Sequence, residues 1–285
     1  MTFSIDQDSC TRCGECKAEC PSLSITRLQG GAYTIDAESC IRCSHCAAVC
    51  PADAVRSDAG VFRPWEDPGL DPQAVAELLR GKRSIRRYSK REIDPALVEE
   101  VLLTGSLCST ASNAQDCTAT VLTGAKLREL REGASAIFAH TAALVRNPLL
   151  RFFLRFTEAR RYVVRPRTLA GLDRLASSAQ GPDRLFFDAP VVVILSAPRR
   201  HRRFGPTDCV LAGAHMMLHA QAAGLGSCAI GFAEVAMRTR PALALRAGVP
   251  PQNRVSLVFT LGYPEVRYYR LPIRARIGGG APSAP

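Results

Sequence analysis

A cysteine run that occurs twice constrains this chain more than any other feature. Cys10-x2-Cys13-x2-Cys16-x3-Cys20-Pro21 returns as Cys40-x2-Cys43-x2-Cys46-x3-Cys50-Pro51, with the same offsets in both copies. Eight of the 12 cysteines therefore fall inside residues 10–50, and the others are Cys108, Cys117, Cys209 and Cys228. Disulfides persist in oxidising compartments, and the opening Met1-Thr-Phe-Ser-Ile-Asp6 lacks the basic and apolar regions of an export signal. Structural zinc takes four ligands per ion and seldom three at x2, x2 spacing followed by Cys-Pro. Close-set thiols in a reducing setting point instead to a polynuclear site. One short loop wraps three irons of a cubane, and the proline turns the chain away after the fourth thiol.

Residues 1–60 resemble the two-cluster bacterial ferredoxins on these runs. The resemblance implies a small ferredoxin-like α+β domain with two 4Fe–4S clusters, the fourth cysteine of each run reaching across to the other cluster. The expected ligand sets are Cys10, Cys13, Cys16 and Cys50 for one, and Cys40, Cys43, Cys46 and Cys20 for the other. His45, between two ligands, is expected to be exposed and not to bind metal.

Charge divides the chain. Residues 1–60 hold 5 basic and 8 acidic side chains, whereas the rest holds 32 and 18. That basic excess comes with no nucleic-acid motif, and a charge patch alone gives only nonspecific affinity, so no nucleic-acid partner is expected. Cys209 to Ala233 contains no Asp, Glu, Lys or Arg, but His215, His219, Gln221, Gly224, Gly226 and Gly231 make it a poor membrane span. It reads as a buried helix at 208–223 with core histidines, followed by a glycine-rich turn. A cytoplasmic protein without a membrane span is the expectation. Residues 61–71 form a proline-rich linker in which Trp65 is expected to pack on a neighbour.

Beyond the linker, the pattern predicts helices from Asp71-Pro72 to Gly81 and from Asp94-Pro95 through Leu102, each opened by an acidic cap and a first-position proline. Apolar runs predict strands at Thr118–Leu122, Val191–Leu195 and Val255–Leu261. Few, well-separated strands among helices imply an α+β sheet flanked by helices. Four segments carry candidate chemistry. Lys82-Arg83-Ser84-Ile-Arg86-Arg-Tyr88 sets cations around a hydroxyl, a pattern that binds phosphate or simply faces solvent. Ser109-Thr110-Ala111-Ser-Asn113-Ala-Gln115 is a loop of small polar residues. Gly224-Leu-Gly226-Ser-Cys228-Ala229-Ile230-Gly231 lets backbone approach a planar ring closely, yet it follows a helix and lacks the dinucleotide spacing. Leu261-Gly-Tyr-Pro264 closes the last strand ahead of Arg267, Arg270, Arg274 and Arg276.

In this joint order, residues 72–276 resemble the nitroreductase-like FMN flavoproteins. The resemblance implies an α/β sandwich and an obligate homodimer with FMN held between subunits. Lys82, Arg83, Ser84 and Arg86 would come from one chain, with Ser109, Thr110, Ala111 and Asn113 from the other, and Gln115 is a further cofactor-binding residue. The stretch Cys228, Ala229, Ile230 and Gly231 would face the flavin edge with its later amides, and Arg270 or Arg274 would add a phosphate contact. Ser109 stands where proline is usual, and two departures stand out: Asp116-Cys117 replaces the common Pro-Trp, and residues 138–185 form a long basic insertion. Residues 138–185 read as a basic helical insertion that folds as a flap, a lid or a docking face for an acidic donor, and 277–285 as a flexible tail. Cys228 is expected to be a small buried residue.

The two resemblances together imply an oxidoreductase. Electrons from a low-potential donor would pass through the clusters to FMN and on to a small electron-poor substrate such as a nitro compound or quinone. The chemistry would lie at flavin N5, with no catalytic side chain assigned. Ferredoxin, flavodoxin or NAD(P)H are the candidate donors. The alternatives are an electron-transfer or redox-sensing subunit without its own substrate, and a flavin-destroying or dehalogenating enzyme.

Overall fold

A computed structural model describes residues 1–149, 152, 166–274 and 277–278. The chain divides into two compact units: Met1–Leu70 with Thr110–Ala114, and Asp71–Ser109 with Gln115–Pro285.

The first unit is built twice over. Strand β1 (Phe3–Ile5) pairs antiparallel with β4 (Val55–Ser57), and β2 (Ile25–Arg27) with β3 (Tyr33–Ile35). One-turn helices α1 (Glu15–Ala18) and α2 (His45–Ala48) each contain the third cysteine of a run, Cys16 and Cys46. The repeat is also visible in the bonding. Asp6 and Asp36 accept from Ser9 and Ser39 at 2.8 and 2.5 Å, and their carbonyls take the amides of Cys10 and Cys40 at 3.1 Å. Arg12 and Arg42 are left-handed at φ 61° and 57°, as are Gly14 and Ser44 at 87° and 64°. Phe3, Ile25, Tyr33, Ala54 and Val55 make the small core. So few apolar side chains stabilise such a module weakly, and a bound metal group contributes directly to folding.

The second unit is a sandwich around one sheet. Helix α3 (Pro72–Gly81) opens at Asp71, whose carboxylate accepts from the amides of Gln73 and Ala74 at 3.0 and 3.2 Å. Helix α4 (Pro95–Ser106) opens the same way at Asp94, which accepts from Ala96 at 2.9 Å. These caps satisfy first-turn amides that have no partner inside the helix. Next come β5 (Thr118–Thr123), α5 (Gly124–Arg146), α6 (Pro166–Ala176), β6 (Val191–Pro198), α7 (Gly205–Ala222) and β7 (Gly226–Ala229). Helices α8 (Gly231–Thr239) and α9 (Pro241–Arg246) and strand β8 (Asn253–Gly262) complete it. The sheet order is β5-β6-β8-β7, antiparallel throughout, with β6 and β8 in the middle.

Every residue of β6 is buried, because helices cover both faces. Its side chains alternate accordingly. Val191, Val193 and Leu195 meet Val98 and Val101 of α4 and Cys209, Ala212 and Met216 of α7. Val192 and Ile194 meet Leu130, Ala134 and Phe138 of α5, with Met237 and Leu243. The architecture is α+β, as the spacing of elements implies.

Several expectations change. The turn expected after α7 contains edge strand β7, whose glycine and serine carry little strand propensity and which forms by pairing with β8. Helix α7 is not buried all round: Val210, Leu211 and His215 are exposed, and half-buried His219 bonds Glu100 Oε1 through Nε2 at 2.9 Å. Both histidines lie off the sheet-facing stripe, so neither is a core residue. Trp65 is 78% exposed and does not anchor the linker. Helix α5 runs unbroken through residue 138, and Phe138, Ala142 and Val145 are buried in the core. Of the basic run, residues 150–151 and 153–165 lie outside the described residues, with Arg151, Arg155, Arg160, Arg161 and Arg165; Arg276 does too. Among the described residues no helix is long and apolar enough to cross a membrane.

Candidate cofactor sites

Each expected cysteine set lines its own small cavity in the first unit. Cys10, Cys13, Cys16 and Cys50 surround one, with Ile5, Tyr33 and Val55 as apolar walls. Cys20, Cys40, Cys43 and Cys46 surround the other, with Phe3, Ile25 and Ile35. Cys50 thus lines the cavity of the first run's cysteines, and Cys20 that of the second's. Amides aim at these sulfurs: Ser24 N at Cys20 Sγ (3.3 Å), Ala54 N at Cys50 Sγ (3.2 Å) and Arg42 N at Cys40 Sγ (3.4 Å). Such bonds stabilise thiolate charge and tune a cluster's potential. Burial pushes the Cys46 thiol up to about 11. Burial acts the same way on Cys20, but bonds from Ser22 and from the Ser24 amide outweigh it and hold that thiol below its ordinary value. His45 is exposed and turns Nδ1 to the Cys43 carbonyl at 3.3 Å.

The second unit holds a basic cavity of about 190 Å³ at the sheet's β7 edge. Lys82, Arg83, Gln221, Gly226, Ser227 and Tyr268 are among its walls. The loop after α3 is pinned there backbone first. Ser84 and Ser227 form a parallel bridge, and the Ile85 amide donates to the Ser227 carbonyl at 3.0 Å. Buried Tyr88 donates its hydroxyl to the Ile85 carbonyl (2.9 Å) and lies 2.7 Å from Thr260 Oγ1 on β8. Its burial raises its pKa, so it stays a neutral tether. Gly226 makes the approach possible, because a Cβ there would come within 2.6 Å of Ile85 Cγ1.

The cations sit on this frame. Lys82 Nζ donates to Ser227 Oγ at 2.9 Å and to the Arg83 carbonyl at 3.0 Å, and burial holds its pKa below the usual lysine value. Arg83 lies over the Tyr268 ring at 5.5 Å and gives Nη2 to the Arg270 carbonyl at 2.7 Å. Its Nη1 is buried without a hydrogen-bond partner. Arg274 Nη2 donates to the Lys82 carbonyl at 3.3 Å. An orphaned guanidinium nitrogen in the same cavity as a half-buried ammonium fits one end of an anionic cofactor, since among the described residues neither has the negative charge that would complete it.

The other expected residues are placed unevenly. Arg86 is exposed and stacks over Phe187 at 5.8 Å. The Ile230 amide, expected at the flavin edge, is spent in the sheet on the Val258 carbonyl at 2.7 Å. Exposed Gly231 opens α8, so its amide has no intrahelical partner. Cys228 is buried among core residues and Ala229 is exposed. Thr110, Ala111 and Asn113 belong to the first unit, while Lys82–Arg86 belong to the second. Asn113 Nδ2 donates to the carbonyls of Ile41 and Arg42 at 3.0 and 2.8 Å. Ser112, Asn113 and Gln115 are all left-handed, at φ 51°, 53° and 49°. Ser109 is exposed. Ser227 and Tyr268 were not identifiable from the sequence: a lone serine on an edge strand and a tyrosine in an irregular tail carry no periodic signal.

Fold and site together define a flavoprotein-type sandwich joined to a cysteine-ligated module. Residues 79–263 match the model of the nitroreductase family, and residues 2–51 match that of the 4Fe-4S dicluster domain. The chain belongs to the nitroreductase family. Among solved structures it is similar to a nitroreductase with bound FMN from Bacteroides fragilis NCTC 9343. The TM-score is 0.53 and the identity 21%, over 70% of this chain and 95% of that one. A nitroreductase with bound FMN from Desulfitobacterium hafniense DCB-2 gives TM-score 0.53 and 14% identity, over 71% and 94%. The FMN-dependent nitroreductase from Mycobacterium smegmatis in complex with NADPH gives 0.51 and 21%, over 72% and 96%. At these identities the likeness shows the fold. No curated protein matches the chain.

Proposed function

We propose that this chain is an iron–sulfur flavoprotein oxidoreductase. Electrons from a low-potential donor enter at two 4Fe–4S clusters and leave through FMN to a small electron-poor acceptor, a nitro compound or a quinone. The observation that carries the reading is the buried, partnerless Arg83 Nη1 beside Lys82 in the β7-edge cavity, in a chain that also carries two complete cysteine sets. Similar structures hold FMN, which supports assigning that cavity to its phosphate end. Bound FMN supplies the exchange between single-electron donors and a two-electron acceptor.

The chain's own residues bind and orient. Lys82, Arg83 and Arg274 would neutralise the phosphate and Ser227 would offer it a hydroxyl, while Tyr88 and Gly226 hold the loop that presents the cations. The Gly231 amide, at the start of α8, is available to stabilise negative charge that develops at the ring edge. A cavity of about 190 Å³ encloses only part of a flavin. A second copy of the chain would supply the remaining wall, and the exposed Val210 and Leu211 of α7 are apolar surface for such a homodimer. NAD(P)H, ferredoxin and flavodoxin are the donor classes to compare.

The test is anaerobic purification with iron, sulfide and flavin assay, followed by stepwise reduction read by visible absorption and EPR. Iron for two clusters and one FMN per chain, both reducible, are expected. Full iron with no flavin retained after FMN is added would overturn the enzyme reading.

A further inference from the structure

Asp116-Cys117 is the pair of residues that departs from the family resemblance, and both side chains are engaged with one neighbouring stretch of chain. Asp116 Oδ2 meets His201 Nδ1. Cys117, just ahead of β5, places Sγ 3.2 Å from Sγ of Cys209 in α7. That gap exceeds the disulfide bond length by only about 1.2 Å. Cys209 is fully buried, whereas Cys117 is partly exposed. The third thiol of this region, Cys108, points instead at the Asp208 carbonyl, 3.9 Å away. Nothing in the cofactor chemistry uses any of the three.

We propose that Cys117 and Cys209 are a redox-active dithiol that a hydroperoxide converts to a disulfide. The partly exposed Cys117 gives a small oxidant a route to the pair. One sulfur takes an oxygen atom from ROOH, leaving ROH and a sulfenic acid. The second sulfur then attacks the first, the S–S bond forms and water leaves. The two thiols lose two hydrogens and two electrons, and the peroxide gains them as ROH and water. The pair's bonding favours this chemistry. Cys117 S–H donates to Cys209, which lowers the Cys209 pKa against the effect of burial, with the Ser256 side chain acting in the same direction. The same bond and burial push Cys117 up. A thiolate is the reactive form in thiol–disulfide chemistry, and this bond makes Cys209 the more acidic sulfur of the two. The resulting bond would tie the chain entering β5 to α7, beside the meeting of Asp116 with His201 in the turn ahead of that helix.

The experiment uses the anaerobically purified holoprotein, treated with stepwise additions of hydrogen peroxide. The protein is then alkylated under denaturing conditions and digested with trypsin. Cys117 lies in the fragment 92–126 with Cys108, and Cys209 in 204–238 with Cys228, so fragment ions must place the link. The expected result is a new species joining Cys117 to Cys209, with loss of two alkylatable thiols, reversed by dithiothreitol. Cys117→Ser should lose that species while keeping its iron content. Both sulfurs remaining alkylatable after peroxide would overturn the proposal. A link that joins Cys108 to Cys117, or Cys209 to Cys228, would overturn it as well. The wild-type arm stands alone if the variant does not fold.

Discussion

Replacing Arg83 by alanine tests the flavin assignment at the atom that carries it. The buried Nη1 has no partner, while Nη2 is held by the Arg270 carbonyl at 2.7 Å, so the guanidinium is already aimed before any ligand arrives. A hydrogen bond to a charged group contributes about 1.5–3 kcal/mol, which is roughly 10- to 150-fold in Kd. Arg83 is only half-buried, and solvent on its open side places the expectation toward the lower end. The assay is quenching of flavin fluorescence on titration into apoflavoprotein, run in parallel with FMN and riboflavin. Wild type should prefer FMN, and Arg83→Ala should lose most of that preference while binding riboflavin about as before. Arg83→Lys should recover only part, because an ammonium cannot hold the Arg270 carbonyl and a phosphate in the same fork geometry. Equal weakening of FMN and riboflavin, or no change in either, would refute the placement of the phosphate at this guanidinium.

Three further outcomes follow from the same geometry. Lys82 has a folded-state pKa lowered by burial from 10.5, so its cost to stability is fully present below that lowered value and is relieved as pH rises toward 10.5. Apoprotein melting should therefore gain relative to Lys82→Met over that window, and saturating FMN should abolish the difference; a parallel pair of curves in the apo state would contradict the burial argument. Cys20→Ser should cost the cluster held by Cys40, Cys43 and Cys46 and spare the other, read as iron content and EPR, and loss of the Cys10 cluster instead would reverse the ligand sets. Leu211→Glu, on the exposed face of α7, should convert a dimer to monomer in sedimentation and lower FMN retention with it, and an unchanged dimer would move the interface elsewhere.

The cysteine sets of the first unit were legible, because cluster ligation imposes fixed spacings, but its four short strands, the exposure of Trp65 and the inclusion of Thr110–Ala114 were not. The crossing of Cys20 and Cys50 came from the ferredoxin resemblance that the repeat carries, not from the spacing itself. Helices α3 and α4 were legible through Asp71-Pro72 and Asp94-Pro95, since capping is local chemistry. Strand β7 was not, because Gly226 and Ser227 are there to let Ile85 and Lys82 approach, and that requirement is tertiary. The Ile230 amide shows the same limit. A glycine-rich stretch signals close backbone approach, but only the sheet register reveals that Val258 has already taken one of the amides. The exposed side of α7 was hidden for a related reason: a stretch without charges reads as buried all round, although only one of its faces meets the sheet.

The β7 edge is where the structure gathers positive charge against its own electrostatic interest. Lys82, Arg83 and Arg274 converge on one loop, joined through the Lys82 and Arg83 carbonyls, and among the described residues none of the three is paired with a carboxylate. Nearby Arg87 does have such a partner in Glu265, at 3.5 Å, so acidic residues are within the loop's reach and are not used on the inner cations. Burial makes the arrangement costlier, since a desolvated ammonium is destabilised and like charges repel more strongly away from water. Backbone bonds through Ser227, Ile85 and Tyr88 hold the loop in place regardless. A polyanion seated there would relieve the repulsion and satisfy Arg83 Nη1 together, and by mass action its binding would stabilise the folded unit. The cavity is thus a part of the second unit whose energetics are incomplete without a ligand, as the small cysteine-lined core is in the first.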